Sequence, residues 1–222
     1  VREGGKVLIV GVTSNRGLCG GFNNNVIKRV NEIIATDYSG DDVHVLCLGK
    51  KIRDVIKRTD YYYTNEYLES REDVYADLTF DNVSEIGGEL MRLYKTGEFS
   101  KICVVYNRFV NAATQKVETE QFLPVQAPES EESAQTGDYI FEPSLEGIAN
   151  TLIPKSLKIQ LFKAIRDSFA SEHGARMTAM HKATDNASEL RDELKLTYNK
   201  ARQASITNEI LEIVGGAEAL NS

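Results

Sequence analysis

The sequence predicts an α/β fold: a Rossmann-like three-layer domain with a mostly parallel sheet, followed by a long C-terminal helix of coiled-coil type. Three observations predict it. Short apolar runs of β-branched type alternate with helical segments as far as residue 125. After Pro154 no proline occurs before the chain ends at Ser222. Over that stretch one apolar or small stripe repeats every 3 to 4 residues, the period of a helix with a buried face.

The elements follow in order. Lys6 to Thr13 (KVLIVGVT) is a nearly continuous apolar run, as a strand buried on both faces requires. Gly17 to Gly21 break it, and Asn23 to Thr36 place Val26, Val30, Ile33 and Ile34 at helical spacing. Val43 to Leu48 read as a second buried strand ended by Gly49, with a short helix after it carrying Ile52, Val55 and Ile56. Tyr61 to Thr64 form a candidate third strand. Asp81 or Asn82 can cap a helix to about Tyr94, with Val83, Ile86, Leu90 and Leu93 inward and Gly97 past its end. Ile102 to Tyr106 and Val117 to Val125 are strands, the last marked as an edge or an end by Pro124. Alternating strands and helices imply a parallel sheet covered on both faces. The acidic, polar segment Ala127 to Asp138 is a loop.

From Ser144 the pattern changes. Ser144 can cap a short helix with Leu145, Ile148 and Leu152, and Pro154 marks a break or a first helical turn. The stripe beyond it runs Phe162, Ile165, Phe169, His173, Met177, Met180, Thr184, Ala187, Leu190, Leu194, Tyr198, Ala201, Ser205. Its mean step, about 3.58 residues, lies between the coiled-coil and straight-helix periods. A helix from Lys155 to Leu220 would be roughly 100 Å long, against roughly 35 Å for its α/β neighbour. Most of it is expected to project and to need a partner helix. The division is therefore an α/β domain over residues 1–142 and a short helix plus long shaft helix over 143–222.

Composition bounds the function. The chain has 222 residues, 41% of them hydrophobic and 27% charged, with a net charge of −7, so a basic nucleic-acid-binding surface is not expected. Cys19, Cys47 and Cys103 have no metal-ligand spacing, and a reducing compartment is the default. His44, His173 and His181 form no metal set, His173 and His181 being too far apart for an i, i+4 pair. The loop Ser14 to Gly21 (SNRGLCGG) joins a strand to a helix N-terminus, where anions bind well. It matches neither phosphate-binding fingerprint, and Gly49-Lys50-Lys51 stand where a dinucleotide fold would have an acid. Asp185, Glu189, Asp192 and Glu193 alternate with Arg191 and Lys195 as on a solvated helix face. No catalytic constellation, cofactor site or metal site emerges. From the residues alone, a phosphate-binding enzyme with a helical dimerisation arm and a coiled-coil scaffold both remain open.

Two stretches carry a resemblance. Thr13 to Asn23 (TSNRGLCGGFN) is one; Ala170 to Met180 (ASEHGARMTAM), Ala183 to Ala187 (ATDNA), Tyr198 to Ile210 (YNKARQASITNEI) and Glu212 to Ala217 (EIVGGA) are the other. Together they bracket nearly the whole chain. The sequence resembles the gamma subunit of the F-type rotary ATP synthase. The resemblance implies an α/β domain flanked by two long helices in an antiparallel coiled coil. That shaft turns inside a ring of alpha and beta subunits and rides on the membrane ring of c subunits. It implies a non-catalytic central-stalk rotor, without cofactor, coupling proton flow to ATP synthesis in beta. Its expected partners are the alpha, beta, epsilon and c subunits. Its expected place is peripheral, on the cytoplasmic face of a bacterial plasma membrane, with the mitochondrial matrix face as the alternative.

The family's first long helix has no counterpart in this sequence, so an N-terminal piece is expected to be missing. Without that mate the long helix is expected to fold back, to self-associate with a second copy, or to fray. Residue by residue, the resemblance implies that Arg202 and Gln203 hydrogen-bond a loop of beta. It sets Arg16 and Cys19, with their glycine loop, against the beta C-terminal region. It sets Tyr139, Phe141 and Glu142 near the c ring and epsilon.

Overall fold

The computed structural model describes residues 5–69, 74–125 and 144–220. The chain forms two compact units, Val1–Thr178 and Ala179–Ser222.

In the first unit, β1 (Val7–Val12) is buried at all six positions, and β2 (Val43–Leu48) at five of six. Such strands can only sit in the middle of a covered sheet, because no position is left to face water. β3 (Tyr62–Tyr63), β4 (Lys101–Phe109) and β5 (Gln115–Leu123) complete it in the order β3-β2-β1-β4-β5. Val7 pairs with Val43 and with Lys101, and these ladders are parallel. Among the described residues only β5 runs antiparallel, against β4, and it is half exposed along much of its length, as an edge strand should be.

The parallel strands need crossovers, and these cover both faces. On one face α1 (Phe22–Thr36) packs Val26, Val30 and Ile33, and α2 (Lys50–Ile56) packs Ile52 and Ile56, over Val7, Ile9, Val45, Cys47, Cys103 and Val105. On the other face α4 (Phe80–Thr96) packs Val83, Ile86, Leu90 and Leu93 over Leu8, Val10, Leu46 and Val104. The short turn α3 (Glu66–Glu69) adds Leu68 to that core. Cys47 and Cys103 are thus core side chains, and burial pushes the Cys103 thiol up to about 12.

Two expectations need correction. The cap of α4 is Thr79, whose Oγ1 accepts from the Asn82 amide at 3.4 Å, rather than Asp81 or Asn82. Asp81 instead stands in the first turn, where its charge faces the positive end of the helix. And the short helix and shaft helix are one element, α5 (Leu145–Leu220), with Pro154 inside it. Ser144 caps it through the Gly147 amide at 3.1 Å, as expected. Pro154 frees the carbonyl of Asn150 from its helical bond, and residues 150–153 are exposed, so water can serve the freed group.

The part of α5 within the first unit completes its core. Leu157, Leu161, Ala164 and Ile165 join the face lined by α4, and Phe80 meets Phe162 edge to face. A fully buried leucine there stabilises by about 1.5–3 kcal/mol. The buried face runs Leu157, Leu161, Ala164, Ser168, Ser171, Ala175, offset from the apolar stripe, on which Phe169 and Met177 stay exposed.

Gly49 has φ 106°, and a Cβ there would lie 2.0 Å from the Thr13 carbonyl oxygen. Gly49→Ala is expected to lower stability by about 2–3 kcal/mol. Gly40→Ala, where a Cβ meets nothing, should stay within about 0.5 kcal/mol. Denaturant midpoints check both.

Candidate functional site

The carboxyl ends of β1 and β4 are where an open α/β sheet offers a ligand crevice, since the crossover leaving β1 through α1 and the one entering β4 through α4 lie on opposite faces. The loop from Thr13 to Gly21 lies at this end. Its base is clamped to the start of α2. The Thr13 amide donates to Leu48 O at 2.8 Å, and the first three amides of α2 are all taken. Lys50 donates to Asn15 Oδ1, Lys51 to Ser14 O and Ile52 to Thr13 Oγ1. A helix start with its amides bonded inward holds no anion.

The loop's interior is a small polar knot. The Ser14 amide donates to Asn23 Oδ1 at 2.9 Å, Asn23 Nδ2 donates to Ser14 Oγ at 2.9 Å and to Cys19 Sγ at 3.1 Å, and Ser14 Oγ donates to Arg16 O. Asn23 is the second residue of α1, so the helix and its entry loop hold one another. Cys19 is 2% exposed and packs with Phe22 and Ala175. Leu18 has φ 62° and is 76% exposed. A left-handed leucine costs on the order of 1 kcal/mol and persists where its surroundings dictate it. The knot thus turns Cys19 in and Leu18 and Arg16 out.

The crevice itself is closed by the chain. Ser171 Oγ donates to Asn107 O at 3.0 Å, and Arg176 Nη2 donates to Gly17 O at 3.4 Å. Glu172 holds that guanidinium at 2.7 Å. Asn107, 1% exposed at the end of β4, sends its Nδ2 to Phe22 O at 3.1 Å. Residues 171–176 of α5 therefore pack against the far end of β4 and the Gly17 loop. Among the described residues no group of three or more His, Cys, Asp or Glu could hold a metal ion.

In the second unit, residues 179–220 are helix throughout. Leu190, Leu194 and Tyr198, which continue the stripe, are 56%, 59% and 67% exposed. Arg202 and Gln203 are exposed neighbours on the same helix.

The family model described as ATP synthase matches residues 1–220. The ATP synthase gamma chain of Flavobacterium johnsoniae is 62% identical over 99% of this chain and 75% of its own length. The chain belongs to the ATP synthase gamma chain family. The fold agrees with chains of solved assemblies. One lies in the Euglena gracilis mitochondrial ATP synthase (OSCP, F1 and c-ring), with TM-score 0.68, 21% identity, and 98% of this chain and 73% of that chain covered. Another belongs to the central stalk and c-ring of the Tetrahymena thermophila mitochondrial ATP synthase, with TM-score 0.57, 21% identity, and 82% and 77% covered.

On this gamma-chain scaffold the residues singled out from sequence fall in different places. Arg16 and Cys19 share one loop but point oppositely, Arg16 to solvent and Cys19 into the knot. Arg202 and Gln203 sit in the other unit. Tyr139, Phe141 and Glu142, with the Ala127 to Asp138 segment, lie outside the described residues. Sequence reasoning missed Ser14, Leu18, Asn23, Asn107 and Ser171. Asn107 did carry a signal, being an amide directly after the apolar run CVVY, at the end of a buried strand.

Asn23→Ala leaves the buried Ser14 amide without its acceptor and is expected to cost about 1–3 kcal/mol. Urea unfolding measures that loss. Alkylation in native buffer should be slow for all three buried thiols and should speed up at Cys19 alone in the variant.

Proposed function

We propose that the chain is the non-catalytic rotor of an F-type ATP synthase, carrying torque between the c ring and the catalytic sites of beta. It is organised as an α/β domain over residues 1–142 and a shaft over 143–222. The single observation that supports this best, in a member of the gamma chain family, is that α5 packs over the β1/β4 end of the sheet, bonding Asn107 O and Gly17 O. A chain built that way binds through its surfaces. The exposed stripe at Leu190, Leu194 and Tyr198 suits burial against other helices in an assembly.

Contacts with beta fall to two places. Arg202 and Gln203 offer a guanidinium fork and an amide from an exposed helix to a beta loop. The Arg16 to Cys19 loop meets the beta C-terminal region; there Cys19 acts from inside by fixing the loop, and Arg16 makes the outer contact. Tyr139, Phe141 and Glu142 serve the c-ring and epsilon side. Alpha completes the surrounding ring. The whole sits peripherally at the cytoplasmic face of a bacterial plasma membrane; among the described residues no helix is long and apolar enough to cross one. No cofactor takes part.

The test is made in the assembled complex with the full-length subunit. Arg202→Ala with Gln203→Ala is expected to slow ATP hydrolysis and synthesis by on the order of tenfold, the effect of removing charge-assisted hydrogen bonds. Turnover and coupling equal to the unmodified complex would remove these two residues from the beta contact.

A further inference from the structure

α5 is held in the first unit by two kinds of contact that do different work. Leu157, Leu161 and Ile165 pack into the core. Apolar packing resists separation, but it is non-directional and does little to resist rotation of a helix about its own axis. Farther along, the contacts become polar and aim at main-chain atoms. Ser171 Oγ donates to Asn107 O at 3.0 Å, and the one proton of Thr178 Oγ1 is shared between Ala112 O at 3.2 Å and Gly174 O of its own helix at 3.1 Å. Between them Gly174 comes so close to the turn joining β4 and β5 that a Cβ would stand 2.9 Å from Ala112 O and 3.2 Å from its Cα. Residues 171, 174 and 178 lie within about 60° of one another around the helix, at about 100° per residue.

We infer that Ser171, Gly174 and Thr178, seated on Asn107 and Ala112, form a rotational lock that fixes the azimuth of α5 against the sheet. Rotating the helix by one residue would carry the side chain of His173 or Ala175 onto the Ala112 carbonyl and would break both hydroxyl bonds. The seat is rigid because its acceptors are backbone atoms. It is tied further inward, since Asn107 Nδ2 also holds Phe22 O and thereby the first residue of α1. A second tie runs through Glu120, which accepts from Tyr106 Oη at 2.5 Å and from Gln160 Nε2 at 3.3 Å. Burial and the Glu120 carboxylate raise the Tyr106 phenol above its ordinary range, so it stays a donor. These are positioning residues. Their consequence rests on the rotor reading above: torque passing between the α/β domain and the shaft loads this joint, and slip there loses stroke without stopping hydrolysis.

The experiment uses the full-length subunit in the assembled synthase in inverted membrane vesicles, reading ATP hydrolysis and ATP-driven acidification together. Ser171→Ala with Thr178→Val removes two hydroxyls at nearly constant volume; Gly174→Ala adds the obstructing Cβ. The ratio of acidification to hydrolysis is expected to fall by about fivefold in each variant while hydrolysis stays within about twofold. A purely structural role would lower the amount of assembled complex, so that both rates fell together and the ratio held. A constant ratio in both variants, at whatever rate, overturns the lock. Failure of the unmodified subunit to support any acidification would instead sink the rotor reading, and the lock with it.

Discussion

A parallel sheet ends in loops whose backbone groups must find partners once they are covered, and at the β1/β4 end of this sheet those partners come from α5. Enzymes with comparable sheets leave that end open to a ligand. Here Ser171 serves the carbonyl of Asn107, Arg176 serves that of Gly17, and Asn107 serves Phe22. Every other feature of the loop depends on this closure. The knot of Ser14, Cys19 and Asn23 is buried, and its Cys19 packs with Phe22 and with Ala175 of α5. Leu18 and Arg16 are outward because the inside is taken.

The closure also decides what the α/β domain can be used for. With α2 capped by Thr13, Ser14 and Asn15, and the crevice filled, the chemistry-bearing end of the sheet has become a mounting point. Small residues make this possible. Ala164, Ser168, Ser171, Gly174 and Ala175 let the helix axis come close enough for side-chain hydroxyls to reach main-chain oxygens. Larger residues on that face would hold the helix off and leave buried carbonyls unpaired, which is costly.

The sheet was legible from sequence because period-2 and continuous apolar runs such as KVLIVGVT and VHVLCL have one low-energy use. Gly97 past α4, at φ 83°, and the inward faces of α1 and α4 were equally readable, since they rest on local rules. The Thr79 cap was obscured because three polar residues able to cap, Thr79, Asp81 and Asn82, stand within four positions. The stripe along α5 found the helix but began it ten residues late, at Lys155, and in the first unit it runs offset from the buried face, sharing only Ile165 with the core. Large apolar residues dominate a periodicity search, whereas the gripping face is made of alanine, serine and glycine. The polar knot was unreadable for another reason: Ser14 and Asn23 meet only after the loop folds, and no local spacing announces them. The family motifs covered that gap by marking the loop and the helix as special without saying what their residues touch.

Gly215 and Gly216 stand side by side near the end of α5, where every described side chain from residue 200 to 219 is exposed. Each glycine weakens a helix by about 1 kcal/mol relative to alanine, and isolated helical turns are marginal in water. The final turns therefore depend on whatever encloses them, and amide protons beyond residue 214 should exchange with solvent long before those of β1. Trimming the chain back to that point would cost the α/β domain nothing.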